Sequence, residues 1–228
     1  FAPGRADEKR LNSGDRPGTD WVPAECDVSI RPGWFYHEKE DAEVRTAQNL
    51  IELYFSSVGR GASFLLNLPA DRRGQIHGND VSSLLEFRKR IEEIFKVNLA
   101  RNAMVSASNT RAGSRRYATA NLIDDSRMSY WATDDAVHRA EITIDFRRRT
   151  SFNVIRLREF LPLGQRVETF AIDEWDGGAW QEFAAGTSVG NCRLVRSPRI
   201  TTNKIRVRVN GPVALALSEI AVFAEPDD

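Results

Sequence analysis

The sequence predicts two domains of different class, an α/β arc of a (β/α)8 barrel followed by an all-β, antiparallel jelly-roll β-sandwich. Between Asp41 and Phe95, apolar residues recur at helical spacing or form one short continuous run. From Val97 onward they alternate with polar residues, a pattern that is typical of strands with one buried face. The change of period divides the chain into domains of residues 1–95 and 96–228.

Composition excludes several classes of protein. The 228 residues include 32 Lys plus Arg and 32 Asp plus Glu, so no net charge attracts the chain to nucleic acid or to an anionic membrane. A hydrophobic content of 41% is ordinary for a globular protein, and no apolar run is long enough to span a bilayer. Phe1 to Arg5 include neither an initiator Met nor a leader-like segment, and we expect a fragment of a longer polypeptide.

The first strand and helix of the α/β domain are predicted from their boundaries. Pro23 and Pro32 bracket a brief strand around Val28 to Ile30, because proline cannot donate to a ladder. Asp41 is the expected N-cap of the helix that follows, and Gly59 is its expected stop.

A second strand and helix complete the α/β pattern. Phe64 to Leu68 is a nearly continuous apolar run that predicts a strand buried on both faces, and Asp80 is the expected N-cap of a helix reaching Phe95. A whole (β/α)8 barrel takes about 250 residues, so this arc needs further strands to complete its core. Either the upstream polypeptide accompanies this chain as a separate chain, or some other contact holds the arc.

Short alternating strands are predicted throughout the second domain. The motif Asp176-Gly177-Gly178, between two tryptophans, predicts a tight hairpin. The two cysteines, Cys26 and Cys192, fall in different predicted domains, and we expect free thiols. The predicted strands are Glu141–Phe146, Asn153–Phe160, Phe170–Trp175, Lys204–Val209 and Leu217–Phe223.

The stretch from Trp21 to His37 concentrates carboxylates, an arginine and four aromatic residues at the end of a predicted strand. In a (β/α)8 barrel, loops after strand ends carry the site. A buried strand in which Asp27 and Arg31 pair with each other is the alternative.

Three stretches in order, Trp21–His37, Ser57–Ala62 and Leu65–Gly74, resemble the end of the catalytic domain of glycoside hydrolase family 29, the retaining α-L-fucosidases. The resemblance is closest to the subgroup that prefers branched α-1,3/1,4-linked fucose. It implies that residues 1–95 are the closing arc of the catalytic barrel. It also implies a fucosylated glycan as substrate and a periplasmic or secreted location in a bacterium.

The family's catalytic motifs are not in this sequence. Retaining glycosidases use two carboxyl groups about 5 Å apart. In the family resembled here, the nucleophile is an Asp in a Trp-Phe-Asp-Gly type motif, followed later by the acid/base Glu. We therefore expect both upstream of Phe1, and no activity from this chain alone. Glu25 is a candidate substitute and also a candidate substrate-binding residue; it could instead pair with Arg31 or with the Arg5/Arg10 loop.

Trp34 is the main candidate for substrate contact. The resemblance implies that an aromatic from this region packs against the C6 methyl of fucose, and an indole face offers apolar area for it. A core tryptophan is the alternative. His37 is a further substrate-binding candidate, although it could be a packed, hydrogen-bonded histidine. His77 and His138 show no metal-ligand spacing.

The second domain resembles the discoidin-like (coagulation-factor type C) modules. This resemblance implies a structural Ca²⁺, held by oxygen ligands that calcium prefers. The tentative calcium ligands are Asp124, Ser126, Ser129 and Glu219, although Ser126 stands where a second acid is usual; a hydrogen-bonded loop without metal is the alternative. No cofactor is implied for catalysis. The stretches that carry this resemblance are Asn98–Ser108, Asn121–Asp125, Ser129–Trp131 and Leu217–Phe223.

Two function classes follow from these observations. One is part of an α-L-fucosidase whose catalytic residues lie upstream. The other is a non-catalytic carbohydrate-binding or structural β-sandwich module that carries a remnant of the barrel. Sugar binding by the module needs exposed aromatic side chains, for which Tyr117, Tyr130 and Trp131 are candidates, although Trp131 could instead lie in the core.

Overall fold

A computed structural model of the chain describes residues 24–226, which fall into two compact units. The first unit ends at Lys96 and the second begins at Val97. Trp21 and the Arg5/Arg10 loop lie outside the described residues. Within residues 24–226, every helix is too short or too polar to cross a membrane.

The first unit alternates strands and helices, as the sequence predicts. Its two strands are parallel, with Glu25 opposite Ser63 and Ser29 opposite Asn67. Parallel neighbours require a crossover, and the first helix provides it. The elements are β1 (Glu25–Ser29), α1 (Ala47–Ser56), β2 (Ser63–Asn67) and α2 (Gly78–Ile94).

Both predicted helix caps are wrong. Thr46 caps α1, because its Oγ1 accepts a bond from the backbone N–H three residues later, at 3.2 Å. His77 caps α2 through Nδ1, which accepts from the N–H two residues later at 3.3 Å. Asp41 and Asp80 instead accept hydrogen bonds from the guanidinium of Arg31. The buried guanidinium of Arg31 thus binds the two carboxylates that the sequence pattern predicts to be N-caps.

The prediction that β2 is buried on both faces is also wrong within the described residues. Leu65 in its centre is 51% exposed, and Leu85 on α2 is 61% exposed. Parallel sheets are normally covered on both faces, whereas the part of this sheet within residues 24–226 leaves Leu65 half exposed. The apolar residues buried in this unit are Ile30, Ala47, Leu50, Ile51, Phe55 and Ile94.

The second unit is built on one antiparallel seven-stranded sheet, in the order β4-β9-β5-β8-β6-β7, with β3 also pairing with β5. The alternating burial along these strands matches the period of two in the sequence. The strands are β3 (Met104–Ala107), β4 (Trp131–Ala132), β5 (Arg139–Glu159), β6 (Thr169–Trp175), β7 (Trp180–Thr187), β8 (Arg193–Asn210) and β9 (Ala216–Phe223).

A single long strand, β5, replaces two predicted ones. Its register with β8 shifts between Asp145 and Thr150, and Arg147 there has a left-handed backbone (φ 63°). The first half of β5 pairs with β3, and the second half pairs with β9. Apolar residues from both halves, such as Ile144 and Leu157, belong to one buried core. One long strand that changes partners along its length thus contributes to this core from both of its halves.

Two smaller predictions for this chain are confirmed. Trp175 pairs with Trp180 across a hairpin, and the Asp176 carboxylate accepts the N–H of Gly178 at 2.8 Å within the turn. Cys26 and Cys192 are free thiols, and burial raises the pKa of both.

Candidate functional site

The loop that follows β1 is held where β1 and β2 both end. Ile30 donates its N–H to the Asn67 carbonyl at 3.0 Å, which extends the pairing by one residue. Ser29 Oγ donates to the Gly33 carbonyl at 2.7 Å, and Asn67 Nδ2 donates to the Trp34 carbonyl at 3.0 Å. The loop backbone is therefore fixed at the carboxyl ends of the two parallel strands, the end at which parallel α/β folds in general bind ligands.

The side chains at the tip of this loop face outward. Trp34 is 52% exposed and Phe35 is 78% exposed. Trp34 is therefore not a core residue of this unit, and its indole is accessible for contact with a sugar or with another polypeptide segment. His37 is exposed in the same loop, and its backbone carbonyl accepts a 3.4 Å bond from Arg31. Trp34 and His37, two of the predicted substrate-binding residues, are thus both exposed in one loop.

Beneath the loop lies a buried arginine. The Arg31 guanidinium, fully buried, donates Nε and Nη2 to the Asp80 carboxylate at 2.9 and 2.8 Å, and Nη1 to Asp41 Oδ1 at 2.9 Å. The bonds to Asp80 chiefly raise the pKa of Arg31, so the guanidinium stays charged. The pairs considered from sequence, Arg31 with Glu25 or with Asp27, are not formed, and both of these carboxylates are exposed.

Two rings complete this buried cluster. Tyr36 lies with its ring centroid 4.7 Å from the Arg31 guanidinium carbon, and its hydroxyl donates to Asp41 Oδ2 at 3.3 Å. His77 Nε2 is 3.5 Å from the same oxygen. Burial, and then the Asp41 charge, raise the pKa of Tyr36, so its hydroxyl remains a donor at neutral pH. These contacts tie the loop to Asp41 and to the first turn of α2.

Two of the described carboxylates, Asp41 and Asp80, are held by Arg31. Asp41 and Asp80 are close together, but both bind Arg31, and Asp80 is completely buried. Glu25 begins β1 whereas Trp34 follows its end, so the strand separates them by about 13 Å at 3.3 Å per residue. The structure therefore does not bring Glu25 to the Trp34 loop.

The predicted calcium ligands do not fit a calcium ion. Asp124 accepts the Ser126 N–H at 2.8 Å and the Ser129 hydroxyl at 2.5 Å, which closes the loop on itself. Glu219 is buried, and its oxygens lie 2.6 Å from Arg156 Nη2 and 3.2 Å from Arg158 Nε. Two guanidinium groups beside a carboxylate disfavour a cation there. Across residues 24–226, no group of three or more Asp, Glu, His and Cys side chains is arranged to hold a metal.

The aromatic candidates for sugar binding in the second unit differ in how deeply they are buried. Trp131 is fully buried and donates Nε1 to the Asn109 carbonyl at 3.0 Å, so it is a core residue. Tyr117 and Tyr130 are half-buried, with ring centroids 5.3 Å apart. Phe160, which no sequence pattern singles out, stacks on Tyr130 at 4.0 Å.

Two plant proteins are similar to this chain in sequence. A scan of models of protein families finds no match. Alpha-L-fucosidase 1 of Arabidopsis thaliana is 40% identical over 186 residues, which are 80% of this chain and 36% of the plant protein. A rice (Oryza sativa subsp. japonica) protein, provisionally named alpha-L-fucosidase 1, is 39% identical over 215 residues, 93% of this chain and 41% of its own length.

A solved structure shows the same relationship. The GH29 fucosidase of Ruminococcus gnavus, in complex with fucose, matches with a TM-score of 0.89 and 33% identity, covering 94% of this chain and 43% of that protein. The chain spans less than half the length of each of these relatives. Over nearly all of its own length, the chain is thus homologous to part of α-L-fucosidases, including a bacterial member of glycoside hydrolase family 29.

Proposed function

We propose that this chain is the C-terminal portion of a retaining α-L-fucosidase that removes terminal α-linked L-fucose from glycans. The observation that carries the proposal is the match to a fucose-bound family 29 fucosidase over 94% of the chain. The Trp34 loop supports it independently, because an exposed indole on a fixed backbone lies at the carboxyl ends of parallel strands. The sequence motifs favour the subgroup that acts on branched α-1,3/1,4-linked fucose.

The nucleophile and the acid/base belong, in this proposal, to polypeptide outside this chain. A retaining mechanism needs two free carboxyl groups about 5 Å apart. Asp41 and Asp80, beneath the loop, both bind Arg31, so neither is a free carboxyl group. The exposed apolar residues Leu65 and Leu85 support the same division, since further barrel strands and helices would cover them.

The role of Trp34 in this proposal is to bind the sugar. L-Fucose has a methyl group at C6 where L-galactose has a hydroxymethyl group, so an indole face at that position favours the deoxy sugar. His37, in the same loop, is a second candidate for contact with the sugar ring. Neither side chain supplies the covalent step.

The β-sandwich is proposed to be a discoidin-like, jelly-roll module of the same enzyme, and the location to be periplasmic or secreted. Its antiparallel strands and single core support a sandwich module. Its clustered aromatics Tyr117, Tyr130 and Phe160 leave the carbohydrate-binding alternative open to test.

The test is hydrolysis of 4-nitrophenyl α-L-fucoside by the chain expressed with, and without, its upstream polypeptide. We expect release of fucose only from the combination, with the α-anomer as first product by proton NMR, as retention requires. Absence of activity from the complete protein on aryl fucosides and on branched fucosylated oligosaccharides would contradict the proposal.

A further inference from the structure

Trp34 is held in place by a side chain of the neighbouring strand. Asn67, the last residue of β2, donates Nδ2 to the Trp34 carbonyl at 3.0 Å and to Ser29 Oγ at 3.1 Å. Ser29 Oγ donates onward to the Gly33 carbonyl at 2.7 Å. Together these bonds fix the peptide groups on both sides of Trp34, while the indole itself stays 52% exposed.

We propose that Asn67 is a positioning residue for sugar specificity. This inference rests on the proposed fucosidase function. By fixing the backbone of Trp34, Asn67 holds the indole against the C6 methyl of fucose and so sets the preference for the 6-deoxy sugar over the 6-hydroxy sugar. A displacement of even 1 Å at a contact of this kind changes rates strongly.

Asn67 differs from the buried cluster in how closely it reaches the candidate site. The Arg31–Asp80 pair holds the start of the loop, three residues before Trp34, and lies fully buried. Asn67 is half-buried and bonds to the Trp34 backbone directly. Its substitution should therefore move the indole without unfolding the unit.

Two substitutions separate the hydrogen bond from the bulk of the side chain. Asn67→Asp keeps the shape but replaces a donor with an oxygen that faces the Trp34 carbonyl, so the loop is repelled. Asn67→Ala removes the donor without repulsion, and replaces Asn67→Asp if the carboxylate prevents folding. Asn79→Ala is the matched control, because Asn79 Nδ2 also donates to a backbone carbonyl of this unit, that of Asp41, at 2.8 Å.

The kinetic test uses the complete enzyme with 4-nitrophenyl α-L-fucoside and α-L-galactoside. We expect Asn67→Asp to raise KM for the fucoside about 10-fold with little change in kcat, as for lost binding shared by ground and transition states. The fucoside-to-galactoside ratio of kcat/KM should fall toward that of Trp34→Ala. Because Asn67 acts through Trp34, adding Asn67→Asp to Trp34→Ala should lower the ratio no further.

Two results of these measurements would overturn the proposal. Asn67 variants that leave the ratio unchanged, or change it no more than Asn79→Ala does, overturn the positioning role. So does an additive effect in the double variant, because independent sites add.

A second readout does not depend on activity. In protein labelled with 5-fluorotryptophan, the Trp34 signal is assigned by its loss in Trp34→Phe. We expect Asn67→Asp to shift or broaden that ¹⁹F signal and Asn79→Ala to leave it in place. An unchanged Trp34 signal in Asn67→Asp overturns this inference, whereas a wild-type enzyme without fucosidase activity overturns the proposed function.

Discussion

Arg31 and Asp80 form a bidentate ion pair in which neither side chain has any exposed surface. Arg31 Nε and Nη2 lie 2.9 and 2.8 Å from the two Asp80 oxygens. The pair joins the end of β1 to the first turn of α2, 49 residues along the chain. Desolvation offsets much of the attraction between such charges, so the pair matters most through the penalty that follows when one partner is lost.

We expect Asp80→Asn to lower the free energy of unfolding of the complete protein by about 1–3 kcal/mol, because an amide cannot accept from both Nε and Nη2 of the buried guanidinium, while Asp41 still supplies a negative charge. Urea denaturation measures this. Glu92→Gln is the control, because it breaks the Arg88–Glu92 pair on α2, which is exposed to solvent and should contribute far less. Equal losses of unfolding free energy in the two variants would show that the buried Arg31–Asp80 pair stabilises the protein no more than an exposed ion pair does.

Trp34→Ala should weaken fucose binding in the complete enzyme by about 1–3 kcal/mol, the range for losing a buried apolar contact. Inhibition constants for free L-fucose, measured beside kcat and KM, give this number. Phe35→Ala is a suitable comparison, because Phe35 is the more exposed of the two neighbours. If Trp34→Ala folds normally and leaves kcat, KM and fucose inhibition unchanged, Trp34 is not part of the sugar site.

The 228-residue chain alone should release no fucose from an aryl fucoside. Asp41 and Asp80, beneath the Trp34 loop, are both ion-paired to Arg31, and a carboxylate held in this way is a poor nucleophile. A continuous nitrophenol assay with the purified chain measures this, and activity should appear when the upstream polypeptide is added. Turnover by the chain alone would show that one of its own carboxylates, with Glu25 the first to test, acts in catalysis.

Much of the fold was predictable because each class of element has its own hydrophobic period. The alternation of strands and helices before Lys96 and the strands after Val97 both follow from it. Element ends were less predictable, because they depend on distant partners. Asp41 and Asp80 have the sequence signature of N-caps, but Arg31 attracts both, and nothing local to either residue reveals that arginine. The continuity of β5 depends on a bulge near Arg147, which no turn residue marks.

The candidate site was predictable only in part. The Trp34 loop could be located, because a cluster of aromatic and charged residues at a strand end is a recognisable signal. Asn67 could not, since its role depends on the register that places it opposite Ser29. Likewise, the resemblance of Glu219 to a calcium ligand gives no sign of Arg156 and Arg158. These two arginines, on the neighbouring strand β5, pair with Glu219.

Glu159 is a buried carboxylate bound by backbone groups, and its replacement should be costly. Its Oε1 accepts the N–H groups of Arg166 and Val167 at 2.6 and 2.8 Å, and Oε2 accepts that of Gly190 at 2.7 Å. An amide cannot accept on both sides, so we expect Glu159→Gln to destabilise the protein by about 1–3 kcal/mol in urea denaturation. Glu168→Gln, on the exposed surface, should change it by less than about 0.5 kcal/mol.

The same residue predicts a pH dependence with a definite sign. Burial raises the pKa of Glu159, and the backbone N–H groups offset this in part. Between the ordinary glutamate pKa and the raised one, the folded protein keeps a proton that the unfolded chain has lost. The contribution of Glu159 to stability is therefore complete below that window and declines as the pH rises through it. Glu159→Gln should remove this part of the pH dependence; an unchanged stability profile would refute the assignment.

Chelation should leave the melting temperature of the protein unchanged, in contrast to what the resemblance to discoidin-like modules implies. A calcium ion present at 100 times its Kd would stabilise the native state by about 2.7 kcal/mol, which corresponds to a shift of several degrees. The two arginines on Glu219 argue against such an ion, and Asp124 is already satisfied by its own loop. Melting curves in EDTA and in millimolar Ca²⁺ should therefore coincide. A rise with Ca²⁺ that Asp124→Ala abolishes would restore the predicted metal site, whereas Glu219→Gln should lower the melting temperature equally in both conditions, because it breaks the pairs with Arg156 and Arg158.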